Sequence, residues 1–284
     1  MALSTVVGGL VFAEAPRWRN GRLWWSDMHG HRVQSCAPGE RPRLECEAPS
    51  RPSGLGWLPN GDLLVVSMMD RTLLRRAADG ALTVHADLSH IAPCRLNDMV
   101  VDAQGRAYVG NFGFEIDGAG PLNPVPTVLV MVTPDGRTRV AADGLVFPNG
   151  AVIGPDGETL IIAETWGGRL TAFDIGADGD LSRQRLWAGL PAEVLPDGIC
   201  LDAEGCVWVA SPMTSSCLRV REGGEVLERI DTLRPAFACV LGGDDGRTLY
   251  ICTANDYDRE RRRADPSGSI DALRVAVPAA ADPA

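Results

Sequence analysis

The sequence predicts an all-β chain folded as a six-bladed β-propeller, with four-stranded blades around a central channel. Three observations predict it: a glycine-centred hairpin that recurs six times at one-blade spacing, a β-rich run after each of those turns, and a spare N-terminal strand able to close a ring. The turns are Arg19-Asn20-Gly21, Pro59-Asn60-Gly61, Ala103-Gln104-Gly105, Pro155-Asp156-Gly157, Ala203-Glu204-Gly205 and Asp244-Asp245-Gly246. Each offers a glycine for the positive φ of a tight hairpin. The glycines lie 40, 44, 52, 48 and 41 residues apart, and a four-stranded blade takes about 40–50 residues. The runs that follow, such as Leu23-Trp24-Trp25, Leu63-Leu64-Val65-Val66 and Val207-Trp208-Val209, are aromatic and branched, as strands prefer.

Further turns at Asp79-Gly80, Asp135-Gly136, Asp178-Gly179 and Gly223-Gly224 supply the outer strands. Six copies fill a single domain over residues 1–277, and 278–284 read as a disordered tail. Ser4–Val11 is expected to pair with the last blade near Ile270–Val277, which removes the open edge of the ring. The Gly- and Pro-rich stretch Asn111–Pro126 interrupts the repeat and reads as an insertion on one rim, placed to cover a site. Asp256–Ser269 reads as a charged surface loop.

A net charge of −10 argues against nucleic acid or an anionic membrane as partner. No window reaches the roughly 18 uncharged apolar residues of a spanning helix, and Met1–Pro16 lacks a basic leader. The eight cysteines form no Cys-x-x-Cys pair and several sit inside apolar runs. They read as reduced core residues of a cytoplasmic protein rather than as a disulfide framework.

Chemistry is sought at one phase of the repeat, just upstream of each first hairpin. There the chain places Glu14, Ser53, Asn97, Asn149, Asp197 and, in the last copy, a small apolar residue within Phe237-Ala238-Cys239. Equivalent positions of a propeller are related by rotation about the axis, so these polar side chains converge on the channel mouth. Asx-Gly pairs are also ordinary turn formers. Two carboxylates and two amide oxygens at one phase, Glu14, Asp197, Asn97 and Asn149, with no imidazole or thiolate among them, nonetheless suit a hard cation: Ca²⁺ first, then Mg²⁺ or Mn²⁺, with Zn²⁺ less natural.

Glu14-Ala15-Pro16-Arg17-Trp18 with Trp24-Trp25-Ser26-Asp27, Arg95-Leu96-Asn97-Asp98, Phe147-Pro148-Asn149-Gly150 and Pro196-Asp197-Gly198-Ile199 follow one another in this order. Together they resemble the signatures of the senescence marker protein / gluconolactonase / luciferin-regenerating enzyme family, over almost the whole chain. The resemblance implies a propeller with one divalent cation and a hydrolase of carboxylic ester bonds that opens sugar-acid lactones. It implies metal ligation by Glu14, Asn149 and Asp197, and substrate contact by Arg95, Asn97 and, near the start of the insertion, Glu115. Asp197 is the expected catalytic group, ligating the ion and orienting or deprotonating water. Ala15 departs from the family's Glu-Gly-Pro phrase, and alanine tolerates positive φ poorly.

Rival readings are a metal-dependent esterase or lactonase acting on a non-sugar substrate at the same site, favoured by Phe112, Phe114, Phe147 and Trp166 near the mouth, and a non-catalytic interaction platform. No Gly-x-Ser-x-Gly elbow is present. His29 and His31 read as parts of a surface turn, Glu164 as structural, and Trp24, Trp25, Trp57 and Trp208 as core.

Overall fold

The computed structural model describes residues 3–117 and 122–281. Six antiparallel four-stranded sheets form its six blades. The first strands are Ala13–Arg19, Pro52–Trp57, Leu96–Val101, Pro148–Ile153, Ile199–Leu201 and Ala236–Gly242. Each packs on the first strands of both neighbouring blades, so together they ring the axis. All six expected turns join a first strand to a second, and the eleven hairpin glycines of both series have positive φ. Ring closure also follows the sequence expectation. Ser4–Leu10 pairs antiparallel with Gly268–Arg274 as the outermost strand of blade 6, and Thr5 Oγ1 donates to Asp271 Oδ1 at 2.6 Å.

Apolar residues fill each gap between blades. Leu64, Met99 and Val109 lie between blades 2 and 3, and Val207, Ile199 and Ala163 between blades 4 and 5. Trp25 and Trp208 are fully buried, while Trp24 packs edge-on against Trp57 at 5.3 Å between ring centroids. A further cluster caps the mouth with residues from several blades, including Phe12, Met68, Phe112, Phe147 and Phe237. All eight cysteines are free thiols.

The first strands approach one another so closely that side chains are excluded beside the mouth. A Cβ on Gly150 would sit 2.6 Å from the Ile199 nitrogen and 2.8 Å from the Asp197 carbonyl oxygen. Backbone cannot yield as a flexible side chain can. Gly150→Ala is therefore expected to destabilise the fold by roughly 2–3 kcal/mol, the upper part of the usual overpacking range. Urea denaturation would test this, and an unchanged midpoint would refute the close approach.

Two expectations are corrected. Asp256–Ser269 is not simply a loop: Arg259–Ala264 forms a helix capped by Asp258, whose Oδ1 accepts from the Arg261 backbone N–H at 2.9 Å. Arg262 is buried there, donating to Asp256 and to the Asp265 carbonyl. The helix packs on the short 3₁₀ turn Met28–Gly30, so His29 is buried at 1% exposure rather than lying in a surface turn.

Within the expected tail, Ala279 bridges Asp202 and the Ala280 N–H donates to the Leu201 carbonyl; residues 282–284 lie outside the described residues. Among the described residues, no helix is long and apolar enough to cross a membrane.

Candidate metal centre

Glu14, Asn97, Asn149 and Asp197 all sit near the start of, or just before, a first strand, and all are buried. The backbone that presents two of them is strained. Ala15 holds φ at 46°, which turns its N–H back onto Glu14 Oε2 at 2.8 Å, and Phe147, two residues before Asn149, holds φ at 59°. Left-handed backbone at a non-glycine residue costs on the order of 1–3 kcal/mol, and such strain gathers at functional sites. The Ala15 departure from Glu-Gly-Pro thus keeps the left-handed conformation and carries its strain.

Asn149 donates from Nδ2 to Thr165 Oγ1 at 3.1 Å, and its side chain lies beside the Asp197 carboxyl. Its carbonyl oxygen has no protein donor among the described residues. Asp197 is fixed through its backbone, its N–H donating to the Ala210 carbonyl at 2.9 Å. Burial pushes the Asp197 carboxyl up to about 8, the Asp98 charge adds to this, and the Asn149 side chain opposes it. Glu14 is raised well above the usual carboxylate range, by burial first and then by Asp197. Neither carboxylate forms a salt bridge among the described residues. Two adjacent acids are therefore buried with no salt-bridge partner of their own among the described residues, a cost that a bound cation would relieve. The donor set of two carboxylates and an amide oxygen is chemically suited to a hard divalent cation.

Beneath these residues lies a pair that the sequence reading did not single out. Arg17 donates to Asp98 Oδ1 at 2.6 Å, to the Met99 carbonyl at 2.7 Å and to the Leu55 carbonyl at 3.0 Å. Its guanidinium thus ties blades 1, 2 and 3 together at the axis and neutralises Asp98. The signal was present, because Asp98 directly follows Asn97 in the quoted motif.

Asn97 donates to the Pro148 carbonyl at 3.3 Å. Arg95 donates to Asp117 Oδ2 at 2.6 Å and pairs with Glu115, and its Cζ lies 5.5 Å from the Phe112 ring centroid. Glu115 is largely exposed and, among the described residues, is joined to the buried ones through Arg95 and the Cys94 thiol. The Cys94 thiol and the Arg95 guanidinium hold its carboxyl below the ordinary range. Asp117 also meets Arg51 at 3.4 Å, a second pair that the sequence reading missed. Residues 118–121 of the insertion lie outside the described residues.

An aromatic wall runs beside this cluster. Phe112 and Phe147 lie 4.3 Å apart, and Phe114 is 5.7 Å from Phe147 and 6.4 Å from Trp166. Glu164 is turned away from the mouth: fully buried, it accepts from Arg169, Thr171 and the Val146 N–H.

His29 lines the same face, its Nε2–H donating to the Tyr257 carbonyl at 3.0 Å while Nδ1 is unpartnered. Burial lowers its pKa from 6.5 to about 4, and the Arg51 and Arg259 charges add to this against the Tyr257 hydrogen bond. The folded pKa lies below the unfolded one. The stabilisation is therefore complete above about pH 6.5 and is lost as pH falls towards 4, amounting to about 3 kcal/mol over that window. His29→Gln, which keeps a donor, should flatten the difference between urea midpoints at pH 7 and pH 4.5. Parallel pH profiles for variant and wild type would refute the assignment.

A family model described as the SMP-30/Gluconolactonase/LRE-like region matches residues 12–255. A 6-deoxy-6-sulfogluconolactonase of Pseudomonas putida is 27% identical over 281 residues, 96% of this chain and 94% of its own. The pentonolactonase XacC of Haloferax volcanii is 28% identical, over 93% of this chain and 91% of its own. Among solved structures, a regucalcin from Agrobacterium tumefaciens, described as a calcium-binding protein, superposes with a TM-score of 0.80 at 20% identity, covering 99% of this chain and 97% of its own. The motif order read from the sequence, the six-bladed fold and the match over residues 12–255 agree: this chain belongs to the SMP-30/Gluconolactonase/LRE-like family.

Proposed function

We propose that this protein is a divalent-cation-dependent lactonase that opens a sugar-acid lactone, with Glu14, Asn149 and Asp197 as metal ligands. The observation that carries this reading is the buried Glu14–Asp197 pair, without a protein counter-ion, beside the Asn149 amide. Relatives named as a sulfogluconolactonase and a pentonolactonase support the hydrolase class and the lactone substrate, and the calcium-binding regucalcin supports Ca²⁺ as the ion. The eight free thiols fit a reducing compartment, the cytoplasm.

A divalent ion held there supplies Lewis acidity to the lactone carbonyl and lowers the pKa of water. The chain's residues do the rest. Asp197 orients the attacking water and takes its proton. Asn97 and Arg95 hold substrate oxygens, and the Arg95 guanidinium faces the charge that develops on the carbonyl oxygen. Glu115 and Asp117 keep Arg95 in place and present acceptors to substrate hydroxyls at the rim.

The test is hydrolysis by metal-stripped protein reconstituted with Ca²⁺, Mg²⁺, Mn²⁺ or Zn²⁺ across a panel of aldonolactones and aryl esters. Activity on the lactones, absent after chelation and restored by Ca²⁺, is expected. Full activity without any metal would overturn the reading. The wall of Phe112, Phe114, Phe147 and Trp166 favours a second reading, a substrate with an apolar substituent. A higher kcat/KM for the aryl esters than for every polyol lactone would select it.

A further inference from the structure

Between blades 5 and 6 lies a thiol pair that the reaction above does not use. Cys200 lies on the first strand of blade 5 and Cys239 on the first strand of blade 6, with their sulfurs 3.8 Å apart. The two strands are drawn together just above the pair. The Gly198 N–H donates to the Phe237 carbonyl at 2.8 Å, and a Cβ on Gly198 would lie 2.5 Å from the Ala238 Cβ. Cys239 Sγ also lies 3.7 Å from the Gly198 carbonyl and 3.5 Å from that of Trp208, which fixes its position between the blades.

Both residues lie at the wall of a cavity of about 270 Å³. Its walls are the later residues of every first strand, among them Trp18, Trp57, Val101, Ile153 and Leu241. It therefore occupies the end of the channel opposite Glu14 and Asp197. A water takes roughly 30 Å³ in the liquid, so the cavity has room for several molecules of that size. Cys200 is 8% exposed and Cys239 is 2% exposed.

We infer that Cys200 and Cys239 form an oxidative modification site, closing to an inter-blade disulfide when a peroxide enters the far cavity. One of the two sulfurs attacks one oxygen of hydrogen peroxide and becomes a sulfenic acid, while the other oxygen leaves as water. The other sulfur then attacks the sulfenic sulfur, and its proton leaves with the displaced hydroxide as a second water. Two thiols are oxidised by two electrons and one peroxide is reduced to two waters. A disulfide needs sulfurs about 2.05 Å apart, so the pair must close by roughly 1.8 Å, within reach of side-chain rotation and a small strand shift.

The bridge would be felt just upstream of the same strand. Asp197, Gly198 and Cys200 lie within one short segment, so drawing Cys200 towards blade 6 displaces the Asp197 carboxylate. This consequence rests on the metal ligation proposed above. It predicts that bridging weakens calcium binding about tenfold or more, the scale of a disturbed ligand environment.

The experiment treats the intact, reduced protein with hydrogen peroxide, then denatures it, alkylates the thiols and maps peptides. Six alkylated cysteines out of the eight in the sequence, with a Cys200–Cys239 cross-link that dithiothreitol reverses, are expected. Cys200→Ser and Cys239→Ala should each abolish the cross-link, whereas Cys36→Ser, elsewhere in the core, should keep it. Eight alkylated cysteines, a bridge between other positions, or a sulfinic acid at Cys200 without bridging would each overturn the inference. Calcium titration separates the two proposals. Reduced protein that binds no calcium would refute the metal reading while the peptide map still decides the thiol pair. A mapped bridge with unchanged calcium affinity would overturn the coupling.

Discussion

Asp197→Asn is expected to lower kcat by roughly a hundred- to ten-thousand-fold, the range typical for loss of a general base. The substitution is close to isosteric. It leaves the Asp197 backbone N–H on the Ala210 carbonyl and an amide oxygen facing the mouth, while removing the charge and the proton acceptor. The fold should therefore be intact and the loss should fall on kcat. Asn97→Ala supplies the contrast, because Asn97 braces the Pro148 carbonyl and is proposed above to hold substrate oxygens. Its loss should raise KM more than it lowers kcat. Steady-state kinetics on the best lactone, with metal content measured for each variant, decides the matter. A kcat for Asp197→Asn within about threefold of wild type would remove Asp197 from the chemistry, since even modest general-base catalysis exceeds that.

The fold was readable because its information is local and repeated. A glycine at each hairpin and a branched run after it are short-range signals, and six copies at one spacing constrain the architecture more than any single copy does. The convergence of Glu14, Asn97, Asn149 and Asp197 was readable for the same reason, since rotation about one axis turns equal phase into proximity. Phase alone does not separate a site from a brace, however. The last residues of the second strands also repeat a buried polar side chain, with Asp27, Asn111 and Glu164 among them. Each is consumed by the protein itself: Asp27 accepts from the Phe12 N–H and Arg32, Asn111 from the Gly113 N–H and Thr127, and Glu164 from Arg169 and Thr171. What distinguishes Glu14 and Asp197 is the lack of an arginine partner among the described residues, where Asp27 pairs with Arg32 and Glu164 with Arg169.

Long-range contacts were the other blind spot. Arg17 meets Asp98 across 81 positions, and Cys200 meets Cys239 across 39. Neither spacing carries a local pattern. His29 was misread because a glycine-flanked histidine looks like a surface turn until the Arg259–Ala264 helix covers it. That helix was missed because six residues dominated by arginine carry no apolar periodicity from which a buried face could be inferred.

Calcium should raise the thermal midpoint of the wild-type protein, and Glu14→Gln should abolish that rise. A ligand that binds only the folded state stabilises it by about 2.7 kcal/mol at a hundred times its dissociation constant. At about 2–3 °C per kcal/mol for a domain of this size, the shift is roughly 5–8 °C. Glu14→Gln keeps an oxygen in place and removes one of two buried charges. Without metal, the variant escapes the cost of holding a buried carboxyl beside Asp197, so its own midpoint should lie at or above that of chelated wild type. The two effects have opposite signs, which separates them from simple loss of packing. A variant less stable than chelated wild type that still gains the full calcium shift would show that Glu14 is a structural acid, and that the cation, if bound, sits elsewhere.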